Sequence, residues 1–302
     1  MLNISKNLKY FFILPALLSV VAVATLLVWG LKPSIDLAGG SLLQVSYPDG
    51  RPTVEQIEQA IAPLNLGEVR IQPAGTNSYI LRERALTQDE HQSLVKVLGT
   101  QRTVHEDEFT SISPTIGAEL LNKGLIALGL VAVCIILFIA FAFRKVSKPV
   151  ASWKYGVVAI VALLFDVLVP VGVFAALGHF AGAEVDSLFI VALLTILGIS
   201  INDKIVVFDR IRENLQKAND TRRSEAFADV VNSSIRQTLA RSINTSLTVV
   251  IVLLSLYFVG PATTSAFALT LTVGMIVGTY SSIFFAAPLL VVWEKWQRGK
   301  NK

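Results

Sequence analysis

The sequence predicts a polytopic α-helical membrane protein in which six transmembrane helices carry one small α+β domain outside the bilayer. Of the 302 residues, 53% are hydrophobic, and the mean hydropathy is +0.61. Several apolar runs reach about 18 residues, the length at which a segment is interpreted as a transmembrane helix. A single long polar segment separates the first of these runs from the second. This pattern excludes an ordinary soluble domain.

Six runs qualify as spans when polar residues near their ends are included. The first run is longer than the core of a signal peptide, about 7–15 residues, and lacks a convincing cleavage site. We therefore expect it to remain as an uncleaved anchor. An even number of spans places both termini on the same side of the membrane. The predicted spans are residues 10–31, 121–143, 155–180, 185–208, 243–259 and 263–293.

Lys and Arg residues are concentrated on one side of the predicted topology. They occupy both termini and two connections, including Arg144, Lys145, Arg222 and Arg223. The opposite side has short uncharged or acidic turns and one long, net acidic loop. The positive-inside rule therefore places both termini in the cytoplasm. The basic balance indicates membrane topology, not nucleic-acid binding.

The long loop, residues 32–120, has the pattern of a folded domain. Strand-like alternation recurs four times, and two segments of helical period lie between the strands. Thr53 is a plausible helix N-cap, and Thr87 with Glu90 forms a predicted capping box. The order βαββαβ predicts a ferredoxin-like sandwich, with two helices on one face of an antiparallel sheet. The repeated alternation argues against the alternative, a disordered acidic loop. The predicted strands are residues 41–47, 69–73, 78–84 and 103–112.

The connection at residues 209–242 carries apolar residues at helical spacing. Phe227, Val230, Ile235 and Leu239 recur on one face, with charged residues between them. This pattern predicts an amphipathic helix at the membrane surface. The favoured interpretation of the segment is an amphipathic connector packed under the bundle. Residues 294–302 form a basic tail after the last span.

The fourth span contains a carboxylate. Its uninterrupted apolar stretch, residues 188–201, is only 14 residues long, whereas a helix needs roughly 20 to cross the hydrocarbon core. The span must therefore continue through Asn202, Asp203 and Lys204. A carboxylate there is costly unless it faces protein, water or a partner, so a functional role is expected. Lys204 points about 100° away from Asp203 and is expected to reach the cytoplasmic headgroups.

Asp203 is the leading candidate for a proton-exchanging group. Desolvation favours the protonated form of a buried carboxylate, and a nearby cation favours the ionised form. Arg241, just ahead of the fifth span, is a suitable counter-ion because its guanidinium is always charged. The alternatives are a structural carboxylate, neutralised by Lys204 or hydrogen-bonded at a helix end, and an Arg241 that merely anchors the helix at the lipid interface. Asn202, next to Asp203, adds another polar side chain to this part of the span.

Two other features lie inside predicted spans. Asp166 is close to mid-bilayer, four residues before the helix-distorting Pro170, and is either functional or structural. Gly274 and Gly278 form a GxxxG pair, which predicts close helix packing.

Several classes of site find no support in the sequence. The single cysteine, Cys134, excludes an internal disulfide, and the three histidines are too scattered for a metal cluster. No nucleophile–base pair, Walker motif or dinucleotide fingerprint occurs. We therefore expect neither an enzyme nor a cofactor-binding protein.

Four segments resemble a known family. The first, PSIDLAGGSLLQV, resembles a G-I-D-F-x-G-G motif and contains Asp36, Gly39 and Gly40. The second, SPTIGAELL, resembles a G-P-x-x-G-x-E-L motif. INDKIVVFDRIREN and IRQTLARSINTSLTVVIVLL resemble the runs through the fourth span and into the fifth. The family is that of the bacterial SecD–SecF pair, within the resistance–nodulation–division superfamily, and the chain is similar to its smaller member. The second motif supplies Pro114, Gly117 and Glu119.

The resemblance implies a subunit that packs against SecD in the inner membrane and assists the SecYEG translocon, with YajC as a possible further partner. It implies that Asp203 is the proton-coupling acid and Arg241 its partner. Proton flow would move the periplasmic domains and help draw an unfolded preprotein outward after SecA-driven translocation. Lys204 stands where the family usually has Thr or Ser, which puts an extra cation beside the acid.

Two other functions are compatible with the spans. One is a proton-silent scaffold that holds SecD at the translocon. The other is half of a small-molecule or lipid exporter of the same superfamily. The short loop domain and the single six-span unit argue against the exporter.

Overall fold

The computed structural model describes residues 4–100, 102–142, 152–220 and 225–300. Arg144, Lys145, Arg222 and Arg223 of the predicted basic connections therefore lie outside the described residues. The chain divides into a membrane unit, Met1–Lys32 with Leu125–Lys302, and an α+β unit, Pro33–Gly124.

Most of the described residues are helical, and the strands among them all lie between residues 40 and 112. The helices are α1 (Ile4–Trp29), α2 (Ile35–Ala38), α3 (Val54–Ile61), α4 (Gln88–Leu98), α5 (Pro114–Ala142), α6 (Ser152–Phe180), α7 (Ser187–Asp220), α8 (Phe227–Val259), α9 (Ala262–Ser281) and α10 (Ala287–Lys300). The strands are β1 (Gly40–Ser46), β2 (Arg70–Ala74), β3 (Ser78–Glu83) and β4 (His105–Ile112).

Six apolar helices in the described part of the chain are long enough to cross a membrane, as the sequence predicts. They are α1, α5, α6, α7, α8 and the continuous segment α9–α10. A π-helical turn, Ser282–Ala286, joins α9 to α10 without ending the helix. The prediction of a six-span membrane protein is confirmed.

The predicted helix at the membrane surface does not exist as a separate element. Helices α7 and α8 have 34 and 33 residues, which corresponds to about 50 Å each. Residues 209–242 therefore divide between the end of α7 and the first half of α8. No Gly or Pro interrupts the chain between Leu239 and Ile243, so the helix continues through Arg241. Phe227, Val230 and Ile235 are buried in the core of the membrane unit, which agrees with an amphipathic connector packed under the bundle.

The core of the membrane unit lies between α6, α7, α8 and α10. Tyr155 stacks edge-on against Phe208, with 5.4 Å between ring centroids. Ile211, Val231 and Leu290 are fully buried in the same cluster. The extensions of α7 and α8 therefore pack against each other through apolar side chains.

The α+β unit is a four-stranded antiparallel sheet with the order β2-β3-β1-β4. Leu43, Val45 and Leu81 point from the sheet into a core that includes Ile57 of α3 and Leu94 of α4. This order and the βαββαβ sequence of elements are those of a ferredoxin-like fold, as predicted.

Both helices of this unit begin at the predicted residues. The Thr53 and Thr87 hydroxyls accept hydrogen bonds from backbone N–H groups, and both caps are complete capping boxes. Glu90 closes the second box and also forms a 2.5 Å ion pair with Arg84. These contacts hold the pKa of the Glu90 carboxyl down at about 2, with the Arg84 hydrogen bond as the largest cause.

Candidate functional site between the membrane helices

Asp203 lies on α7, half-buried, with only one side of its carboxylate bonded. The Ser242 hydroxyl of α8 donates to Asp203 Oδ1 over 2.6 Å. Asp203 Oδ2 is buried and has no hydrogen-bonding partner among the described residues. A carboxylate with one satisfied and one open oxygen can accept a proton without breaking its existing bond.

A small cavity of about 40 Å³ adjoins Asp203 between α7, α8 and α9. A water molecule needs about 10–15 Å³ of such space, together with polar partners. The cavity therefore has room for about two or three waters, and its polar lining supplies their partners. The polar residues that line it are Ser200, Asn202, Asp203, Thr245, Ser246 and Thr279.

A second carboxylate, Asp166 of α6, is paired with Lys204 inside the bundle. Lys204 Nζ lies 2.5 Å from Asp166 Oδ2, and neither side chain has any exposed surface. The ammonium also donates to the hydroxyls of Ser200, at 2.6 Å, and Ser281, at 3.0 Å. The prediction that Lys204 reaches the headgroups was wrong. Three acceptors converge on its position, so an interior site costs less than the sequence suggested.

Ser200 connects the ion pair to the cavity. Its hydroxyl donates to Asp166 Oδ2 over 2.5 Å and accepts from Lys204, and the same side chain lines the cavity beside Asp203. Sequence reasoning missed Ser200. Its position four residues before Lys204, on the same helix face, was the available signal.

The GxxxG pair brings α9 against this part of α7. A Cβ on Gly274 would lie 2.2 Å from Ile196 Cδ1, and one on Gly278 would lie 2.9 Å from the Ser200 hydroxyl. Both glycines also line the cavity. The predicted close packing is confirmed, and it occurs at the residues that shape the site.

Arg241 does not form the expected ion pair with Asp203. It is exposed, and no salt bridge joins the two within the residues that the structure describes. Ser242, the next residue along α8, takes the place at Asp203 that was predicted for Arg241. Neighbouring helix residues point about 100° apart, so Ser242 and Arg241 cannot both face Asp203. Asn202 is exposed and contributes to the rim of the cavity.

The two glycine-containing motifs of the α+β unit pack against each other. A Cβ on Gly39 would lie 2.4 Å from Pro114 Cα, and one on Gly117 would lie 2.8 Å from the Gly39 nitrogen. Gly39 and Gly40 also have φ angles of 78° and 141°, which side-chain-bearing residues rarely adopt. These residues therefore have a structural role.

The acidic residues of the same motifs lie on helices: Asp36 in the first turn of α2, and Glu119 in the second turn of α5. The backbone N–H of Asp36 donates to Ser34 Oγ, 3.2 Å away, which caps α2. Glu119 forms an exposed 2.7 Å ion pair with Lys123 on α5.

Glu83, outside the bilayer, is a buried carboxylate that the sequence did not single out. It ends the core-facing row of β3, opposite Ser41 of β1. Both of its carboxylate oxygens are buried without a hydrogen-bonding partner in the described part of the chain. Burial raises the pKa of the Glu83 carboxyl to about 7.

No group of three or more His, Cys, Asp or Glu residues within the described ranges is arranged to hold a metal ion. The side chains around Asp203 and Asp166 supply carboxylates, hydroxyls and one lysine, and the cavity has room for water.

Comparison with known proteins identifies the family. Residues 92–296 match the family model described as "Protein export membrane protein SecD/SecF, C-terminal". The chain belongs to this family. It is 41% identical to the protein translocase subunit SecF of Thermobaculum terrenum, a match that covers 97% of this chain and 94% of that protein. It is 38% identical to the SecF subunit of Anaerolinea thermophila, with the same coverage.

The larger SecDF proteins also match. The chain is 35% identical to the protein translocase subunit SecDF of Bacillus subtilis, of which it covers 39%. The crystal structure of SecDF from Thermus thermophilus superposes with a TM-score of 0.82 at 31% identity, covering 97% of this chain and 39% of that one. The predicted family and the prediction of a membrane subunit of protein translocation are confirmed. The SecDF homologues indicate a SecD partner in the translocase.

Proposed function

We propose that this SecD/SecF-family chain couples proton movement across the membrane to preprotein export, and that Asp203 is the group that takes up and releases the proton. One observation carries the proposal. Asp203 has a buried, unpartnered oxygen beside a cavity large enough for water. In this proposal the chain is a transport subunit, not an enzyme, with protons as the coupling ion and no other cofactor.

The energy available is sufficient for such coupling. One elementary charge that crosses about 100 mV releases about 2.3 kcal/mol. That energy shifts a two-state equilibrium by about fifty-fold, since each 1.4 kcal/mol is a factor of ten. A proton that binds at Asp203 needs to favour one arrangement of α7, α8 and α9 over another by only this amount.

In this proposal, Arg241 acts when the Asp203 carboxylate is ionised. It is permanently charged and immediately precedes Ser242, the residue bonded to Asp203. A rotation of α8 about its own axis would exchange the Ser242 hydroxyl for the Arg241 guanidinium at the carboxylate, because the two side chains point about 100° apart. Protonation of Asp203 would then weaken its interaction with Arg241 and allow the helices to shift.

The proposed location is the bacterial inner membrane, with both termini in the cytoplasm, because the basic connections and termini share one side. The α+β unit then lies in the periplasm. The SecYEG translocon, YajC and an unfolded preprotein are the proposed further partners.

The test measures proton flux and preprotein maturation in inner-membrane vesicles that contain the full chain together with SecD. Asp203→Asn should lower proton-dependent maturation at least about ten-fold, and Arg241→Met should lower it by a similar factor. Asp209→Asn is the matched control, because Asp209 lies on the same helix in an exposed 3.5 Å ion pair with Arg212. It should leave both quantities within about two-fold of the parent, since exposed pairs contribute little.

Normal flux and maturation by Asp203→Asn, at normal protein levels, would refute proton coupling through this residue. That result would favour the proton-silent scaffold.

A further inference from the structure

The ammonium of Lys204 directly follows the proposed proton carrier in the sequence, yet it is fully bonded elsewhere. It has three N–H donors, and the structure gives it three acceptors: Asp166 Oδ2, Ser200 Oγ and Ser281 Oγ. None of the three is Asp203, whose bonded oxygen accepts from Ser242 instead. The positive charge of Lys204 is therefore matched by one negative charge and two hydroxyl dipoles.

We propose that Asp166 is a charge-compensating positioning residue for Asp203: it neutralises Lys204 and holds it aside, so that Asp203 can still take up a proton at ordinary pH. The proposal rests on the proposed function, and it assigns Asp166 a role that does not require Asp166 itself to carry the proton.

The geometry makes this compensation necessary. Lys204 Nζ is one 2.6 Å hydrogen bond from Ser200, and Ser200 lines the cavity that Asp203 also lines. An uncompensated ammonium at that position would stabilise the ionised form of Asp203. At an effective dielectric constant near 20, an uncompensated charge about one helix diameter away, about 10 Å, shifts the protonation midpoint of a carboxyl group by about one pH unit. A closely paired anion and cation act on Asp203 only as a dipole, whose field falls off faster.

The other charged groups around the cavity do not supply this compensation. Asp203 is the one ionisable residue among the described residues that line it. Arg241 on α8 is exposed and of the same sign as Lys204. The part of α9 that lines the cavity contributes one hydroxyl, that of Thr279, which is hydrogen-bonded to Ser246 of α8 over 2.5 Å. Asp166 of α6 is the anion that contacts Lys204.

The test follows the protonation of Asp203 directly. A hydrophobic carbodiimide reacts with protonated carboxyl groups, and peptide mass spectrometry locates the adduct. The full chain is reconstituted with SecD in liposomes and labelled over a range of pH, and the pH of half-maximal labelling at Asp203 is recorded. Asp203→Asn, which removes the labelled group, sets the background.

Three forms are compared. In Asp166→Asn, Lys204 loses its counter-charge, and the midpoint for Asp203 should fall by about one pH unit, a ten-fold change in the proton equilibrium. The double variant Asp166→Asn with Lys204→Met removes both charges and replaces the lysine by an unbranched side chain one atom shorter. Its midpoint should return to within about 0.3 unit of the parent, and proton flux at pH 7 should return with it.

A merely structural role would lower the amount of folded protein without moving the midpoint of the folded fraction. An unchanged midpoint in Asp166→Asn would therefore overturn the proposal. If Asp166→Asn does not accumulate, the double variant decides. A midpoint within about 0.3 pH unit of the parent supports the proposal. A midpoint that departs from the parent by about one unit overturns it, because the Asp166–Lys204 pair would then not be electrically neutral toward Asp203.

Failure of this proposal and failure of the proposed function are distinguishable. The midpoint reports proton uptake at Asp203 whether or not that uptake drives export. Normal export by Asp203→Asn would refute proton coupling, whereas an unmoved midpoint refutes only the role of Asp166.

Discussion

The two carboxylates inside the membrane unit have opposite surroundings. Asp166 is fully buried and bonded through one oxygen to Lys204 and Ser200. Asp203 is half-buried, accepts one hydroxyl and lies beside a cavity. Both sites are built on α7, which contributes Asp203 itself on one side and the Lys204 partner of Asp166 on the other.

The difference shows which carboxylate is suited to proton exchange. A buried charge paired with an opposite charge is expensive to disturb, because removal of either partner strands the other in a medium of low polarity. A carboxylate that faces a water-sized space can change its charge state at a lower cost. The comparison therefore assigns stability to the Asp166 site and exchange to the Asp203 site.

The largest effect should come from breaking the ion pair. Asp166→Ala leaves the Lys204 ammonium buried without a counter-charge, and we expect the free energy of unfolding to fall by about 3–5 kcal/mol. Asp203→Ala should lower it by about 1 kcal/mol, because Ser242 then faces a cavity that water can enter. The measurement is denaturant unfolding of the chain in detergent. Equal losses for the two variants would contradict the division of roles.

Two hydroxyl deletions sharpen the same comparison. Ser200→Ala removes a donor to Asp166 and an acceptor for Lys204, two charged partners without exposed surface, so we expect a loss of about 2–3 kcal/mol. Ser242→Ala removes the single hydrogen bond at Asp203, where water can substitute, and should cost about 1 kcal/mol. Both variants are measured by the same unfolding experiment. A larger loss for Ser242→Ala than for Ser200→Ala would reverse the assignment.

A methyl group on α9 tests how tightly the two sites are enclosed. Gly274→Ala places its Cβ 2.2 Å from Ile196 Cδ1, and Gly278→Ala places its Cβ 2.9 Å from the Ser200 hydroxyl. Overpacking of this kind costs about 1–3 kcal/mol. Gly129→Ala on α5 is the matched control, since its Cβ would meet nothing within 4 Å. Thermal unfolding of the chain in detergent, without SecD, should show a lower midpoint for Gly274→Ala and Gly278→Ala and an unchanged midpoint for Gly129→Ala.

The smallest effect concerns Glu83, a buried carboxylate of the α+β unit, which has neither an ion-pair partner nor a bonded hydroxyl among the described residues. Its pKa of about 7 in the folded state exceeds the ordinary value of 4.5, because burial disfavours the charged form. The folded state therefore retains this proton over a range in which the unfolded state has lost it. Stability of the α+β unit should be greatest below pH 4.5, decline as the pH rises to about 7 and then level off.

Glu83→Gln should remove this dependence and stabilise the unit by about 1–2 kcal/mol at pH 8. Hydrogen exchange of the β1 and β3 amides, corrected for intrinsic rates, measures it in the full chain. Identical pH profiles for the parent and Glu83→Gln would show that another group is responsible.

Local sequence patterns predicted most of the fold. The alternation in residues 32–120 and the two N-caps are short-range features, and the strand order follows from the βαββαβ sequence of elements. Apolar length predicted the six spans. The lengths of α7 and α8 were underestimated, because their extensions are amphipathic and are held by each other, which no single segment reveals.

The site was predicted only in part, because its partnerships are tertiary. Asp203 was found from its cost inside a span, and Gly274 and Gly278 were found from their spacing. The pairing of Asp166 with Lys204 joins residues 38 positions apart on two helices, and the sequence does not specify how those helices are rotated. The same lack of rotational information led to the expectation that Arg241, rather than Ser242, contacts Asp203.

The π-helical turn at Ser282–Ala286 follows directly after Ser281, one of the hydroxyls that hold Lys204. Such a turn accommodates one more residue than an α-helical turn while it leaves the helix unbroken. A homologue that is one residue shorter here can close the segment as regular α-helix and keep both flanking halves in phase with the bundle. Within the last span, we therefore expect a one-residue deletion to disturb the packing of the bundle least at this turn.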